Sequence, residues 1–103
     1  MHYSDLASES EEALLDFEVF MLQRRYSDNT IKVYVNALKS FFNFFETTSI
    51  LELNEYHVNT FNRDFILRKG FSRSYQNQVP NAIKLYYKER KEMELNLQNL
   101  KSP

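Results

Sequence analysis

Four polar residues in one segment have the types and the spacing expected of a surface that binds phosphate groups and bases. They are Lys32, Asn36, Lys39 and Asn43, and steps of three or four residues place them on one face of a helix. Lysine neutralises backbone phosphates, and asparagine can hydrogen-bond to a base edge in the major groove. A solvated helix face has the same composition, so the pattern alone leaves both interpretations open.

The sequence offers little for catalysis, metal binding or cofactor binding. Without cysteine it has no disulfide framework, zinc knuckle or thiol nucleophile, and its histidines, His2 and His57, lack the spacing of a metal site. One glycine is too few for a phosphate-binding loop. The adjacent carboxylates Glu11 and Glu12 indicate an exposed helix turn, and a tyrosine nucleophile needs a cationic cluster around it. We therefore predict no catalytic residue, no metal, no cofactor and no enzymatic activity for this chain by itself.

The charges of the chain are segregated, although the net charge is only −1. Residues 1–18 carry six acidic residues and no lysine or arginine, whereas residues 63–91 carry eight basic residues against two acidic ones. Such segregation is typical of a protein whose basic surface is masked in the total by an acidic segment. The alternative is that these charges belong to solvated faces.

Length and composition predict one small all-α domain. The 103 residues suffice for a single core, and nine phenylalanines and seven tyrosines supply much of it. One glycine and two prolines give too few turns for a β-sandwich or barrel. Helical periodicity predicts a compact four-helix bundle, with helices at about residues 9–25, 28–46, 55–69 and 72–91. No apolar run could span a bilayer and no signal peptide opens the chain, so we expect a soluble, cytoplasmic protein.

Capping residues mark three of the predicted helix ends. Ser27 and Asn54 precede the second and third helices, where their side chains can accept hydrogen bonds from free backbone N–H groups. Gly70 follows Lys69 at the end of the third helix, which is the arrangement expected of a C-cap.

Pro80 leaves the start of the fourth helix open. Proline removes a backbone hydrogen bond within a helix but is tolerated in the first turn. The helix therefore begins either near Asn77, or near Ser72 with a kink at Pro80.

The order of these segments resembles the core-binding domain of tyrosine recombinases, the SAM-like N-terminal module of the phage-integrase family. The similarity covers about residues 12–103. It rests on the second helix, the aromatic run at residues 41–45 and the entry into the fourth helix. The corresponding stretches are YSDNTIKVYVNALKSFFNFFE and GFSRSYQNQVPNAIKLYYKER, with Ser27-x-Asn29-Thr30-Ile31-x-x-Tyr34, Gly70-x-Ser72, Asn77 and Asn81-Ala82-Ile83-Lys84 as the points of likeness.

This resemblance implies that the second and fourth helices contact double-stranded DNA at a crossover site. The expected DNA-binding residues are Asn29, Thr30, Lys32, Asn36 and Lys39 on the second helix, and Arg73, Ser74, Tyr75, Asn77, Gln78 and Lys84 on the fourth. Alternatively, Ser72 and Ser74 are only caps and Tyr75 packs inward. Lys88, Arg90 and Lys91 are equally well explained as a solvated helix end.

The resemblance also implies a division of the parent protein. Residues 1–92 would be the core-binding domain, and residues 93–103 would begin a linker to a catalytic domain that is absent here. The family's His-x-x-Arg motif is missing, because His57 is followed by Val58-Asn59-Thr60. The chain would thus clamp DNA without cutting it, in a parent that breaks and rejoins DNA in bacteria, phages or mobile elements. Its expected partners are DNA, other recombinase protomers and that catalytic domain.

Two other classes of function remain open at this stage. The first is a protein-interaction bundle without a role on DNA, in which the aromatic residues form an apolar docking face. The second is a small stand-alone DNA-binding accessory protein. The acidic first helix, which cannot face DNA, is either solvent surface or a contact to a neighbouring protomer or to the catalytic domain.

Overall fold

Four helices and a π-helical segment account for most of the chain. The computed structural model describes the backbone of residues 3–101 and the side chains of residues 8–90. The described part contains no β-strand, so the predicted all-α, four-helix fold is confirmed. The elements are α1 (Tyr3–Gln23), α2 (Asp28–Phe44), α3 (Glu55–Phe61), the π-helical segment (Asn62–Leu67) and α4 (Arg73–Lys101).

Helix α1 begins earlier and ends earlier than predicted. It starts at Tyr3 rather than near residue 9, because the polar first turns carry no apolar periodicity from which a start could be read. At its end the Tyr26 N–H donates to the Met21 carbonyl (3.1 Å) and the Arg25 N–H to the Leu22 carbonyl (3.1 Å). Arg25 has a φ of 62°, in the left-handed region where such helix ends usually place glycine.

Helix α2 starts at the predicted cap. The Ser27 hydroxyl accepts from the Thr30 N–H (3.2 Å) and donates to the Thr30 hydroxyl (2.8 Å). Asp28 adds a negative charge to the first turn, where the helix dipole favours it. The helix ends at Phe44, two residues before the predicted end at residue 46.

The predicted third helix is α3 together with the π-helical segment. The Asn54 side chain accepts from the Tyr56 N–H (2.9 Å), and the Asn54 N–H donates to His57 Nδ1 (3.1 Å). This reciprocal cap confirms the prediction for Asn54 and gives His57 a structural role. Gly70 ends the segment with a φ of 69°, and its N–H donates to the Leu67 carbonyl (3.3 Å).

Helix α4 begins at Arg73 and contains Pro80 in its interior. The Ser72 hydroxyl accepts from the Tyr75 N–H (3.2 Å), so Ser72 is the cap and the alternative start near Asn77 is wrong. The backbone stays helical to Lys101, beyond the predicted end at residue 91. The proposed linker at 93–103 is therefore helical as far as residue 101, and its side chains lie outside the described residues.

The core lies where α1, α2 and α4 meet, with α3 and the π-helical segment closing one side. Aromatic rings meet edge to face: Phe17 and Tyr86 at 5.8 Å, and Phe41 and Phe61 at 5.4 Å, measured between ring centroids. The largest fully buried side chains come from every element: Phe17, Met21, Leu38, Phe41, Phe61, Ile66, Val79 and Ile83. No helix in the described part of the chain is long and apolar enough to cross a membrane.

The connector between α2 and α3 is held from two sides at Ile50. Glu9 of α1 accepts from the Ile50 N–H (3.1 Å) and from the Ser49 hydroxyl (3.0 Å). The Tyr87 hydroxyl of α4 donates to the Ile50 carbonyl (2.8 Å). Burial raises the pKa of Tyr87 well above its usual range, so the phenol remains protonated and keeps donating.

Candidate nucleic-acid interface

The polar residues of α2 form one exposed face, as predicted. We call Lys32, Asn36, Lys39 and Asn43 the α2 polar face; all four side chains are exposed. The opposite side of the helix is buried in the core, through Ile31, Ala37, Leu38, Phe41 and Phe42. None of the four makes a hydrogen bond or ion pair with another described side chain. Their polar groups are therefore available to a partner.

The start of α2 lies beside this face and carries the remaining α2 candidates. Asn29 is exposed and Thr30 is half-buried. The hydroxyl and the N–H of Thr30 are both hydrogen-bonded to the Ser27 hydroxyl. The N–H groups of Asp28 and Asn29 have no acceptor among the described residues. Two free N–H groups at the positive end of a helix suit an anion, although the Asp28 carboxylate in the same turn opposes one.

An open groove of 370 Å³ runs between α1 and α2 alongside the α2 polar face. Lys32 and Asn36 lie on one wall, and Glu18 and Leu22 of α1 lie on the other. The structure thus brings two candidate DNA-binding residues together, but it also places an acidic residue across from them. A polyanion approaching this side must contact α2 rather than the α1 wall.

The candidates on α4 fall into exposed and half-buried groups. Exposed residues are Arg73, Ser74, Asn77 and Lys84. Tyr75 and Gln78 are half-buried, and the Tyr75 ring lies 4.9 Å from the Phe71 ring, centroid to centroid. For Tyr75 the ring thus takes part in packing, as the alternative interpretation expected.

Lys84 lies in a different place from the α2 residues. It lines a cleft of 430 Å³ between α3 and α4, and Asn59, Asn62 and Pro80 are among the other residues that line this cleft. The Asn62 Oδ1 atom is buried and has no hydrogen-bond partner among the described residues. Arg73, Ser74 and Asn77 line neither the groove nor this cleft. The candidates are therefore distributed over two helices rather than gathered in one pocket.

Several basic residues outside the candidate set are occupied within the molecule. Arg63 forms an ion pair with Asp64 (3.0 Å), and the hydrogen bond from Arg63 lowers the pKa of the Asp64 carboxyl. Three further cations lie over aromatic rings: Arg24 over Phe20, Lys69 over Phe65 and Arg90 over Tyr87. The sequence analysis missed these contacts. The spacings of three or four residues between each of these three cations and its ring could have indicated them, whereas the spacing of one between Arg63 and Asp64 could not.

The four basic residues of the candidate set lack contacts of this kind. Lys32, Lys39, Arg73 and Lys84 are exposed and make no hydrogen bond, ion pair or ring contact with another described side chain. Their charged groups are thus exposed and form no direct contact within the described part of the chain, although Glu18 lies across the groove from Lys32. Among the described residues, no three His, Cys, Asp or Glu side chains are close enough to hold a metal ion.

Comparison with known families gives one match. The model described as the phage integrase N-terminal SAM-like domain matches residues 14–97. This range includes α2, α3, the second half of α1, most of α4 and every candidate residue. Neither the curated proteins nor the solved structures gave a match.

Proposed function

The chain belongs to the family of phage integrase N-terminal SAM-like domains, and we propose that it binds duplex DNA through the exposed sides of α2 and α4. In tyrosine recombinases this module is the core-binding domain, one half of a clamp around the crossover site. The other half of the clamp, the catalytic domain, would supply the chemistry of strand breakage and rejoining. In this proposal the matched residues 14–97 supply the DNA-binding half.

The observation that carries this proposal is the pair of exposed lysines on the α2 polar face. Arg63 is neutralised by Asp64, and Lys69 and Arg90 lie over aromatic rings. Lys32 and Lys39, in contrast, lie two turns apart on one exposed face of α2 and have no hydrogen-bond or ion-pair partner among the described residues. Phosphate groups would provide the missing partners, and their contacts would fix the domain in register on the duplex.

The roles of individual residues follow from their chemistry. Lys32, Lys39, Arg73 and Lys84 would neutralise phosphates, because each presents an unpaired positive charge. Asn36 lies between the two lysines on the α2 polar face and would reach a base edge, since its amide both donates and accepts. The amides Asn77 and Gln78 would do the same from α4.

Residues at the helix starts would position the backbone of the DNA. Asn29 and Thr30 lie beside the free N–H groups of α2, and Ser74 lies in the first turn of α4. A phosphate at either end would accept from backbone and hydroxyl donors together. Tyr75 would contribute through its hydroxyl only, because its ring packs on Phe71.

The competing proposal, a protein-interaction bundle built on aromatic residues, loses its main support. Eight of the nine phenylalanines are buried or half-buried, and only Phe44 is exposed, at 40% of its surface. The aromatic excess therefore builds the core. Further partners, namely other recombinase protomers and the catalytic domain, are part of the proposal for the parent protein.

The proposal is tested by titrating the domain with random and palindromic duplexes at about 50 and 200 mM salt. The wild type should bind weakly, discriminate little between sequences and lose affinity steeply as salt rises. Lys32→Ala/Lys39→Ala removes two phosphate contacts. It should lower affinity by at least about tenfold and reduce the log–log salt slope by about 2.

A matched control is available at Arg63 in the π-helical segment and Arg68 directly after it. Arg63→Ala/Arg68→Ala removes the same amount of charge at exposed positions away from α2 and α4, and should change affinity by less than about threefold. Equal losses in the two double variants would show that only net charge matters. No binding at low salt would overturn the proposal for the isolated domain.

A further inference from the structure

Helix α1 is apolar on both of its sides in its second half. Its inner side buries Phe17 and Met21 completely in the core. On its outer side Leu15, Val19 and Leu22 are 65%, 49% and 54% exposed. Their spacing of four and three residues places them in one stripe. A helix that is apolar all round is usually covered on both sides, and here only the inner side is covered by described residues.

Acidic side chains flank this stripe. Glu11 and Glu12 are exposed one turn before Leu15, and Glu18 lies between Leu15 and Leu22. Residues 8–23 contain no lysine or arginine, and none of the three glutamates pairs with a described cation. We call Leu15, Val19 and Leu22, with the flanking Glu11, Glu12 and Glu18, the α1 docking face.

The α1 docking face continues into the groove between α1 and α2. Leu22 is common to both, and Ile31 and Val35 of α2 extend the apolar surface across the groove floor. Glu18 and Asp28 add two negative charges to the groove, and Lys32 on its α2 wall adds one positive charge, so its lining remains acidic on balance. An apolar stripe that leads into a groove between two helices has the shape that receives a third helix, with anchors spaced three and four residues apart.

We propose that the α1 docking face binds an amphipathic helix of a partner protein whose apolar stripe is flanked by lysines or arginines. The apolar residues of that helix would cover Leu15, Val19 and Leu22, and its basic residues would pair with the surrounding glutamates. Charge complementarity of this kind selects the partner and speeds association. The same charges exclude DNA and acidic membrane surfaces from this face.

A second copy of the chain in a two-fold symmetric contact is a poorer fit. A two-fold symmetric contact would place Glu11, Glu12 and Glu18 against the corresponding glutamates of the other copy, and like charges in contact are unfavourable. Five other large apolar residues are exposed among the described residues: Tyr26, Phe44, Leu51, Tyr56 and Leu67. Leu51 and Tyr56 lie beside Glu52 and Glu55, so a head-to-tail contact there would also bring acidic groups together. Leu67 lies beside Arg68 and Lys69, and a head-to-tail contact there is the arrangement that the self-association measurement below tests.

The test uses two synthetic helical peptides with the same leucine stripe, flanked by lysine in one and by glutamate in the other. Binding to the full 103-residue chain is measured by fluorescence anisotropy at low and high salt. The lysine-flanked peptide should bind at least about tenfold more tightly than the glutamate-flanked peptide at low salt, and this preference should shrink at high salt.

Variants of the chain separate the apolar contribution from the charge contribution. Val19→Ser/Leu22→Ser should weaken binding of the lysine-flanked peptide by about tenfold or more while every charge is kept. Glu11→Lys/Glu18→Lys should reverse the preference between the peptides, and the control Glu52→Lys/Glu55→Lys, with the same change in net charge, should not. Circular dichroism checks that each variant stays folded.

Three outcomes would overturn this inference. The first is no binding of the lysine-flanked peptide, and the second is binding that Val19→Ser/Leu22→Ser leaves unchanged. The third is self-association of the wild type that this double variant abolishes, because the face would then join two copies. DNA binding is measured on the same variants and should be unaffected by Val19→Ser/Leu22→Ser, so this inference and the DNA-binding proposal fail independently.

Discussion

Helices α1 and α2 are alike on their inner sides and opposite on their outer sides. Both bury large side chains completely, Phe17 and Met21 in α1 and Leu38 and Phe41 in α2. Outward, α2 presents lysines and asparagines, whereas α1 presents leucines and valine among glutamates. The inner sides determine the fold, and the outer sides determine which class of partner each helix can meet. A net charge of −1 conceals this difference, since the two surfaces nearly cancel.

The largest effects are expected on the inner sides. Phe17→Ala and Phe41→Ala should each lower the free energy of unfolding by about 3–5 kcal/mol, because each leaves a cavity in a close-packed core. Urea denaturation measures this. The outer-side changes Val19→Ser and Lys39→Ala should stay within about 0.5 kcal/mol. A large loss of stability in either outer-side variant would mean that the changed side chain is already buried within the chain. The outer sides of α1 and α2 would then not be the exposed surfaces described above.

Tyr87→Phe should give the next largest loss of stability. It tests the hydrogen bond that joins α4 to the connector between α2 and α3. Loss of the bond to the Ile50 carbonyl leaves a part-buried acceptor unpaired and should cost about 1–2 kcal/mol. Full stability in Tyr87→Phe would show that water satisfies this carbonyl.

Tyr87 also makes the stability of the fold depend on pH in the alkaline range. Burial raises the pKa of Tyr87 in the folded state, so the unfolded state loses this proton first. The contribution of Tyr87 is fully present below pH about 10, the ordinary pKa of tyrosine, and is lost progressively as the pH rises toward the folded value. Urea denaturation across this range should show a shallower decline for Tyr87→Phe than for the wild type.

Glu9 and Glu12 allow a comparison within α1. Glu9 is hydrogen-bonded to the connector, whereas Glu12 has no partner among the described residues. Glu9→Ala removes the acceptor for the Ile50 N–H and the Ser49 hydroxyl and should cost about 1–2 kcal/mol. Glu12→Ala should change stability by less than about 0.5 kcal/mol. Thermal unfolding of the two variants under identical conditions distinguishes them, and equal effects would contradict the assigned contacts.

Arg25→Gly should give a small effect, and it should be stabilising. A left-handed backbone costs a side-chain-bearing residue about 1–2 kcal/mol, and part of the gain is offset by the greater freedom of glycine when unfolded. We expect a net gain of about 0.5–1 kcal/mol in urea denaturation. A loss of stability would indicate that the Arg25 side chain makes a contact that holds the turn.

Local chemistry made several features predictable from the sequence. Ser27, Asn54 and Gly70 mark helix ends because their side chains, or the lack of one, satisfy groups that every helix end exposes. The exposed α2 polar face follows from spacing alone. The π-helical segment at residues 62–67 was not predictable, since apolar spacing over six residues does not distinguish hydrogen bonding at i+4 from i+5.

Other features depend on contacts between distant segments. Glu9 reads as one more exposed acid, and its role became visible only when Ile50, 41 residues away, was placed beside it. Likewise, the sequence shows only that Leu15 and Leu22 are apolar residues of a helix, and the structure shows that they form a second, exposed apolar side of α1. Sequence periodicity indicates that a side chain is apolar, but not whether another helix covers it.

The most direct test of the central claim, that α2 binds DNA and α1 does not, is a chemical-shift titration of the isotope-labelled domain with duplex DNA. We expect chemical-shift changes at Lys32, Asn36, Lys39 and the first turn of α4, and none at Leu15, Val19 and Leu22. Shifts centred on Leu15, Val19 and Leu22, with Lys32 and Lys39 silent, would contradict it.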